Sequence, residues 1–157
     1  MAIVARPLAG LLLVAALIAG CASVPQASRE RDAEAKQFVT HPQSSTVYIY
    51  RDGFQVGSRG MENSELYVDR RLIGSTLPGT FFRLDLRPGP HFLNGFAYDQ
   101  GRMKLETRPG EIYFVKLTVA DADSSFKQVS PDVGKREILR CCSLMENWAP
   151  GQRPFLR

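Results

Sequence analysis

The chain is short of the residues that usually carry chemistry: its 157 positions hold two histidines, three cysteines and one tryptophan. His41 and His91 are far apart in sequence, and neither stands at ligand spacing from a cysteine, so no zinc pattern forms. Also absent are G-x-S-x-G, a phosphate-binding P-loop, H-E-x-x-H and a glycine-rich strand-to-helix turn. These absences remove the recognisable hydrolase, nucleotide-binding and zinc-protease signatures, and neither a cofactor nor a metal is expected. Charge of one sign is scarce too. Lys and Arg number 20 against 16 Asp and Glu, a formal charge of +4, and the signs are interspersed. A nucleic-acid reader would show a basic stripe beside aromatics, so no nucleic-acid partner is expected. No apolar run reaches the roughly 20 residues that a membrane-crossing helix needs.

What is present begins at the N-terminus. Arg6 supplies a positive charge, and Leu8 to Ala19 contain only Leu, Ala, Gly, Val and Ile. A short apolar run behind a basic residue and ahead of small residues is the pattern of a secretory signal. It ends Leu17-Ile18-Ala19-Gly20-Cys21, which resembles the bacterial lipobox with Ile18 where Leu is usual. Small Ala19 and Gly20 admit a peptidase to the backbone, and the Cys21 thiol offers the nucleophile for thioether attachment of a diacylglycerol. The expectation is a lipoprotein signal peptide over residues 1–20 and membrane attachment through covalent lipid on Cys21. The same resemblance implies, from Ala22 in place of Asp, an outer-membrane location facing the periplasm in a host with two membranes. Residues 21–37 are small, polar or charged and are expected to be a tether, with a short helix over Glu30 to Gln37.

Loss of Arg6 with the leader leaves 137 residues of formal charge +3, which suits one domain. The expected bounds are 38–145 for the domain and 146–157 for a tail rich in Pro and Gly. With Cys21 lipidated, Cys141 and Cys142 remain, in a compartment where disulfides persist. Free thiols, bridges to other molecules and an adjacent disulfide are all open to them. Neighbouring Cα atoms lie about 3.8 Å apart, below the roughly 4.4–6.8 Å of most bridges, so free thiols are the expected state.

The middle of the chain alternates with the period of a strand. In Thr46 to Arg51, Val47 and Ile49 face one way and Tyr48 and Tyr50 the other. Residues 52–63, rich in Gly, Ser and Asn, read as a loop. Strands are expected at Glu65 to Asp69, Arg71 to Ser75, Thr80 to Leu86, His91 to Tyr98, Arg102 to Arg108, Glu111 to Val119 and Phe126 to Ser130. Arg87-Pro88-Gly89-Pro90 and Pro109-Gly110 supply turns, and His91 onward is expected to pair back on Thr80 to Leu86. The fold class is therefore mainly β, an antiparallel β-sandwich of about seven strands. Ser130-Pro131-Asp132 opens a short C-terminal helix with Ile138, Cys141, Cys142 and Met145 as its buried stripe. Gly134 inside that helix is an anomaly, costing about 1 kcal/mol against Ala.

Val47 to Arg51, Leu66 to Asp69, Ile73-Gly74, Pro78 to Phe82, Arg87 to His91 and Pro109 to Val115 together resemble the DUF2846 family of bacterial envelope proteins. Val68 to His91 is also similar to PEGA-type β-sandwich modules. The resemblance implies a sandwich and an envelope location, with no catalytic motif. It departs at Asp69-Arg70, where the family often has Asp-Gly; Arg accepts positive φ poorly, which leaves the register of residues 66–75 open.

Two classes of function stay open: a lipid-anchored, non-enzymatic binding or structural module, and an envelope hydrolase or transferase with an unrecognised site. A cluster of acidic or nucleophilic side chains in a cleft would favour the second. Exposed aromatics on one sheet would favour the first. Tyr48, Tyr50, Tyr67, Phe92 and Tyr98 are the outward aromatics, open either to a second core face or to a partner. The candidate surface for an envelope protein or glycan combines Gln55 and Arg59 of the 52–63 loop with Tyr48 and Tyr50. His91, beside a Pro-Gly-Pro turn, is expected to bond a neighbouring carbonyl. Asp121, Asp123 and Ser125 are spaced like a calcium loop, but Phe126 stands where that loop needs Gly, so an ordinary turn is expected.

Overall fold

Alternating β-branched and aromatic side chains make Ser45–Arg51 (β1) a strand that can be buried on both faces, and all seven of its residues are buried. It sits at the centre of the molecule. The computed structural model describes residues 26–51, 53, 64–96, 101–120 and 123–147. Along the chain β1 is followed by Ser64–Val68 (β2), Arg71–Thr76 (β3), Thr80–Leu86 (β4), Gly89–Phe96 (β5), Arg102–Thr107 (β6), Ile112–Ala120 (β7), Asp123–Val129 (β8) and Ser143–Leu144 (β9). Two helices complete it, Arg29–Ala35 (α1) and Pro131–Cys141 (α2). The strands form a five-stranded sheet in the order β8-β7-β1-β4-β9 and a four-stranded sheet in the order β3-β2-β5-β6.

The mainly β sandwich with a short C-terminal helix is as expected, but it is not wholly antiparallel. β1 runs parallel to β7, and β4 parallel to β9. Between β1 and β7 the chain builds β2 to β6, of which β4 joins the larger sheet, and β7 enters that sheet from the same end as β1. A strand buried on both faces suits such a pair.

The turns show the same long-range organisation. Arg87 to Pro90 is not a hairpin: β4 pairs with β1 and β9, whereas β5 pairs with β2 and β6, so this segment is a corner between sheets. The Arg87 carbonyl accepts from His91 Nε2 at 2.7 Å, and Thr107 Oγ1 lies 3.2 Å from the Gly89 carbonyl. These side chains hold the corner where a hairpin ladder would otherwise be. The Asp69-Arg70 turn, by contrast, is tight. Both residues take positive φ, 50° and 66°, and Val68 pairs directly with Arg71. The register shift in this hairpin falls instead between Leu66 and Tyr67.

Between the sheets, Val47, Ile49, Leu66, Val68, Phe82, Leu84 and Val115 belong to one apolar cluster. Each large side chain there contributes roughly 1.5–3 kcal/mol by leaving water. A second cluster lies outside the larger sheet, where Tyr48, Tyr50, Phe81 and Phe114 are covered by Ala35 of α1 and Ile138 of α2. Tyr48 stacks on Phe114 with ring centroids 5.1 Å apart. Gly134 resolves here: a Cβ on it would meet Phe114 Cγ at 2.3 Å, so only glycine lets α2 lie this close to the sheet.

Residues 26–37 are not a free tether. Gln26 bridges to Met145, and Ala27 N–H donates to the Leu144 carbonyl at 3.0 Å. The Ser28 hydroxyl caps α1 through Arg31 N–H, and Asp32 Oδ1 accepts Leu144 N–H at 2.7 Å. Arg31 also pairs with Glu146. The expected stripe of α2 is shorter than one helix: the helix ends at Cys141, Cys142 is extended, and Met145 enters the inter-sheet core beyond β9. The Cys141 and Cys142 sulfurs are bonded to each other, in place of the expected free thiols. Helical Cys141 and extended Cys142 meet at the point where the chain leaves α2.

Candidate functional site

The two sheets differ in what covers their outer faces. The larger sheet is covered by the chain's own helices. Tyr48 and Tyr50 point into that layer and are 0% and 1% exposed, so they are corrected from candidate partner contacts to core residues. The physical reason is that both faces of β1 are occupied, one by the other sheet and one by α1 and α2. Their hydroxyls are used internally. Tyr48 donates to the Ala35 carbonyl at 2.6 Å, and Tyr50 donates to Glu137 Oε2 at 2.7 Å. Burial pushes the Tyr48 phenol up to about 12. Burial also raises Glu137, but hydrogen bonds from Tyr50 and Lys116 outweigh it and leave that carboxyl below its ordinary value. Burial of Arg51, at the end of β1, lowers its guanidinium.

Among the described residues the helices cover the larger sheet alone, and Phe92 on the outer face of the smaller sheet is exposed. Leu72, Tyr67, Asn94 and Arg102 lie side by side across β3, β2, β5 and β6. Phe92, 53% exposed, lies opposite Lys104 one row further along. The face is thus apolar and aromatic across β3, β2 and β5, through Leu72, Tyr67 and Phe92, with two cations along β6. Tyr67 donates to Glu65 Oε2 at 2.8 Å, and that bond is the main cause raising its phenol. Lys104 pairs with Glu106 along the same strand at 2.6 Å.

Asp69 anchors the rim of this face. Its Oδ1 accepts Phe92 N–H at 2.9 Å and its Oδ2 lies 2.7 Å from His91 Nδ1. The imidazole therefore spans the Asp69 carboxylate and the Arg87 carbonyl, as the expected bonding to a nearby carbonyl requires. It is 8% exposed.

A groove of about 570 Å³ opens elsewhere, where the segment after α1 crosses the end of β4. Glu34, His41, Arg83, Asp85 and Arg87 line it. Asp85 accepts from Thr46 Oγ1 at 2.8 Å and lies 3.6 Å from Arg83, which itself reaches the Val39 carbonyl. His41 accepts Gln43 N–H. Nothing in the local sequence around His41 signals the groove. Among the described residues no three His, Cys, Asp or Glu side chains converge as a metal site needs. Cys21, Gln55, Arg59, Tyr98 and Asp121 lie outside the described residues.

Comparison with known proteins agrees with the strand and turn pattern. Residues 41–131 match the family described as "Protein of unknown function (DUF2846)". An uncharacterised protein of Haemophilus influenzae is 33% identical over 136 residues, covering 83% of this chain and 79% of the relative. The family match spans more than half of the chain, from the approach to β1 to the start of α2, and the chain belongs to the DUF2846 family.

Proposed function

We propose that the protein is a lipid-anchored envelope module, attached through Cys21, that binds an envelope protein or glycan without catalysing a reaction. The observation that carries this reading is the asymmetry of the two sheets. One outer face is buried beneath α1 and α2, while the other presents Leu72, Tyr67 and Phe92 beside Arg102 and Lys104. Aromatic and arginine side chains on a rigid sheet contribute contact area at small entropic loss, which is why they dominate binding surfaces. The lipobox supports placement of the module at a membrane, and Ala22 supports the outer one.

The groove at Arg83 and Asp85 is where an enzymatic alternative would be sought. Asp85 is already engaged by Thr46 and faces Arg83, an arrangement that suits a structural ion pair better than an acid or base held ready.

The test is crosslinking in whole cells from a photoreactive residue at Phe92, compared with one at Leu139 on the helical layer. A specific envelope protein or glycan captured from position 92 supports the reading. Equal capture from both positions, or turnover of an envelope substrate that Asp85→Asn abolishes, refutes it.

A further inference from the structure

We infer that the protein rests on its membrane through one corner of the helical layer, where the first turn of α1 and the last turns of α2 meet an anionic phospholipid surface, so that the open sheet faces away from the bilayer. This rests on the lipid-anchor reading. Its structural basis is the place where the described chain begins. Gln26 is bonded to the edge of the larger sheet through Met145, and Ala27 through Leu144. From Cys21 to Gln26 is five residues, which span at most about 18 Å when fully extended. A domain of this size is about 35 Å across. A leash half as long as the domain is wide cannot carry the membrane round to the far side, and the β9 edge stays next to the lipid.

The chemistry of that corner suits the occupant. α2 runs through Cys142 into β9, whose Leu144 holds Ala27, so the end of α2 and the entry of the chain share one bonded segment. Leu139 is 59% exposed there, with exposed Arg136 and Arg140 on the same side of α2. Arg29 is exposed in the first turn of α1, with Glu30 beside it, and Arg31 is paired with Glu146. A large aliphatic side chain flanked by arginines is the pattern of a surface seated at the headgroup boundary. Near an anionic leaflet each arginine strengthens the contact about fivefold.

The experiment uses the full lipidated protein in vesicles of phosphatidylethanolamine and phosphatidylglycerol, with the lipid on Cys21 verified by mass spectrometry. A fluorescent amino acid is placed at position 139 in one sample and at position 92 in another, and quenching by spin-labelled lipids is measured. Strong quenching at 139 and none at 92 is expected. Arg136→Glu with Arg140→Glu should weaken quenching at 139 by more than tenfold, and a long Gly/Ser insertion between Val24 and Pro25 should weaken it too. Equal quenching at the two positions in verified lipoprotein, or stronger quenching at 92, overturns the orientation and leaves the anchor standing. Absence of lipid on Cys21 overturns both.

Discussion

Gly134 lies so close over Phe114 that the smallest side chain on it would overlap the ring, at 2.3 Å from Cγ. The two residues set the distance between α2 and the larger sheet. Gly134→Ala should improve helix propensity by about 1 kcal/mol, yet overpacking of this kind costs roughly 1–3 kcal/mol, and the contact here is with a fully buried ring. Net destabilisation is expected in chemical denaturation of the protein, with partial recovery in Gly134→Ala combined with Phe114→Leu. An unchanged or raised midpoint for the single variant would show that α2 can move away at no cost.

The Asp69-Arg70 turn invites the opposite result. Arg70 is exposed at φ 66°, a conformation that strains an L-residue by about 1–2 kcal/mol. Arg70→Gly should relieve it and stabilise the domain by roughly 0.5–1 kcal/mol, part of the gain being lost to the freer unfolded chain. Asp69→Gly should not, because Asp69 also holds Phe92 N–H and His91. Thermal melts of the two variants should move in opposite directions.

Tyr48 links stability to alkaline pH. Its phenol is held at about 12 in the folded state, chiefly by burial, against about 10 when unfolded. The folded state therefore keeps a proton that the unfolded state releases, and stability falls as pH rises from 10 towards 12. The loss attributable to this residue is roughly 2–3 kcal/mol. Tyr48→Phe should flatten that part of the stability curve, at a cost near 1 kcal/mol for the hydrogen bond to Ala35. An equally steep curve in the variant would assign the effect elsewhere.

Lipidation is tested most directly in cells. Cys21→Ser should abolish incorporation of labelled palmitate and leave the precursor uncleaved. In a host with two membranes the wild type should fractionate with outer-membrane markers, and Ala22→Asp should shift it inward. Labelling that persists in the Cys21 variant would end the anchor reading.

Strand positions were legible because alternation is local: Thr46 to Arg51, Thr80 to Leu86 and Glu111 to Val119 declare two faces by their own side chains, and all three are strands. The start of α2 was legible for the same reason, since Pro131 at its first position presets the backbone locally, although the Ser130 hydroxyl makes no capping bond. Family membership followed from such local motifs. Partner choice is not local. Residues 80–86 and 89–96 look like a hairpin until Thr107, brought from β6, joins His91 of β5 in holding the chain at a corner. Gly134 read as a weakness in a helix until Phe114 arrived beneath it. Tyr48 and Tyr50 show the limit most clearly. Alternation determines that they oppose Val47 and Ile49, but whether the far side meets water or a helix depends on where residues 29–35 and 131–141 pack. Those helices are held there by contacts between segments far apart in the chain, such as Asp32 with Leu144, and a period of two carries no information about them.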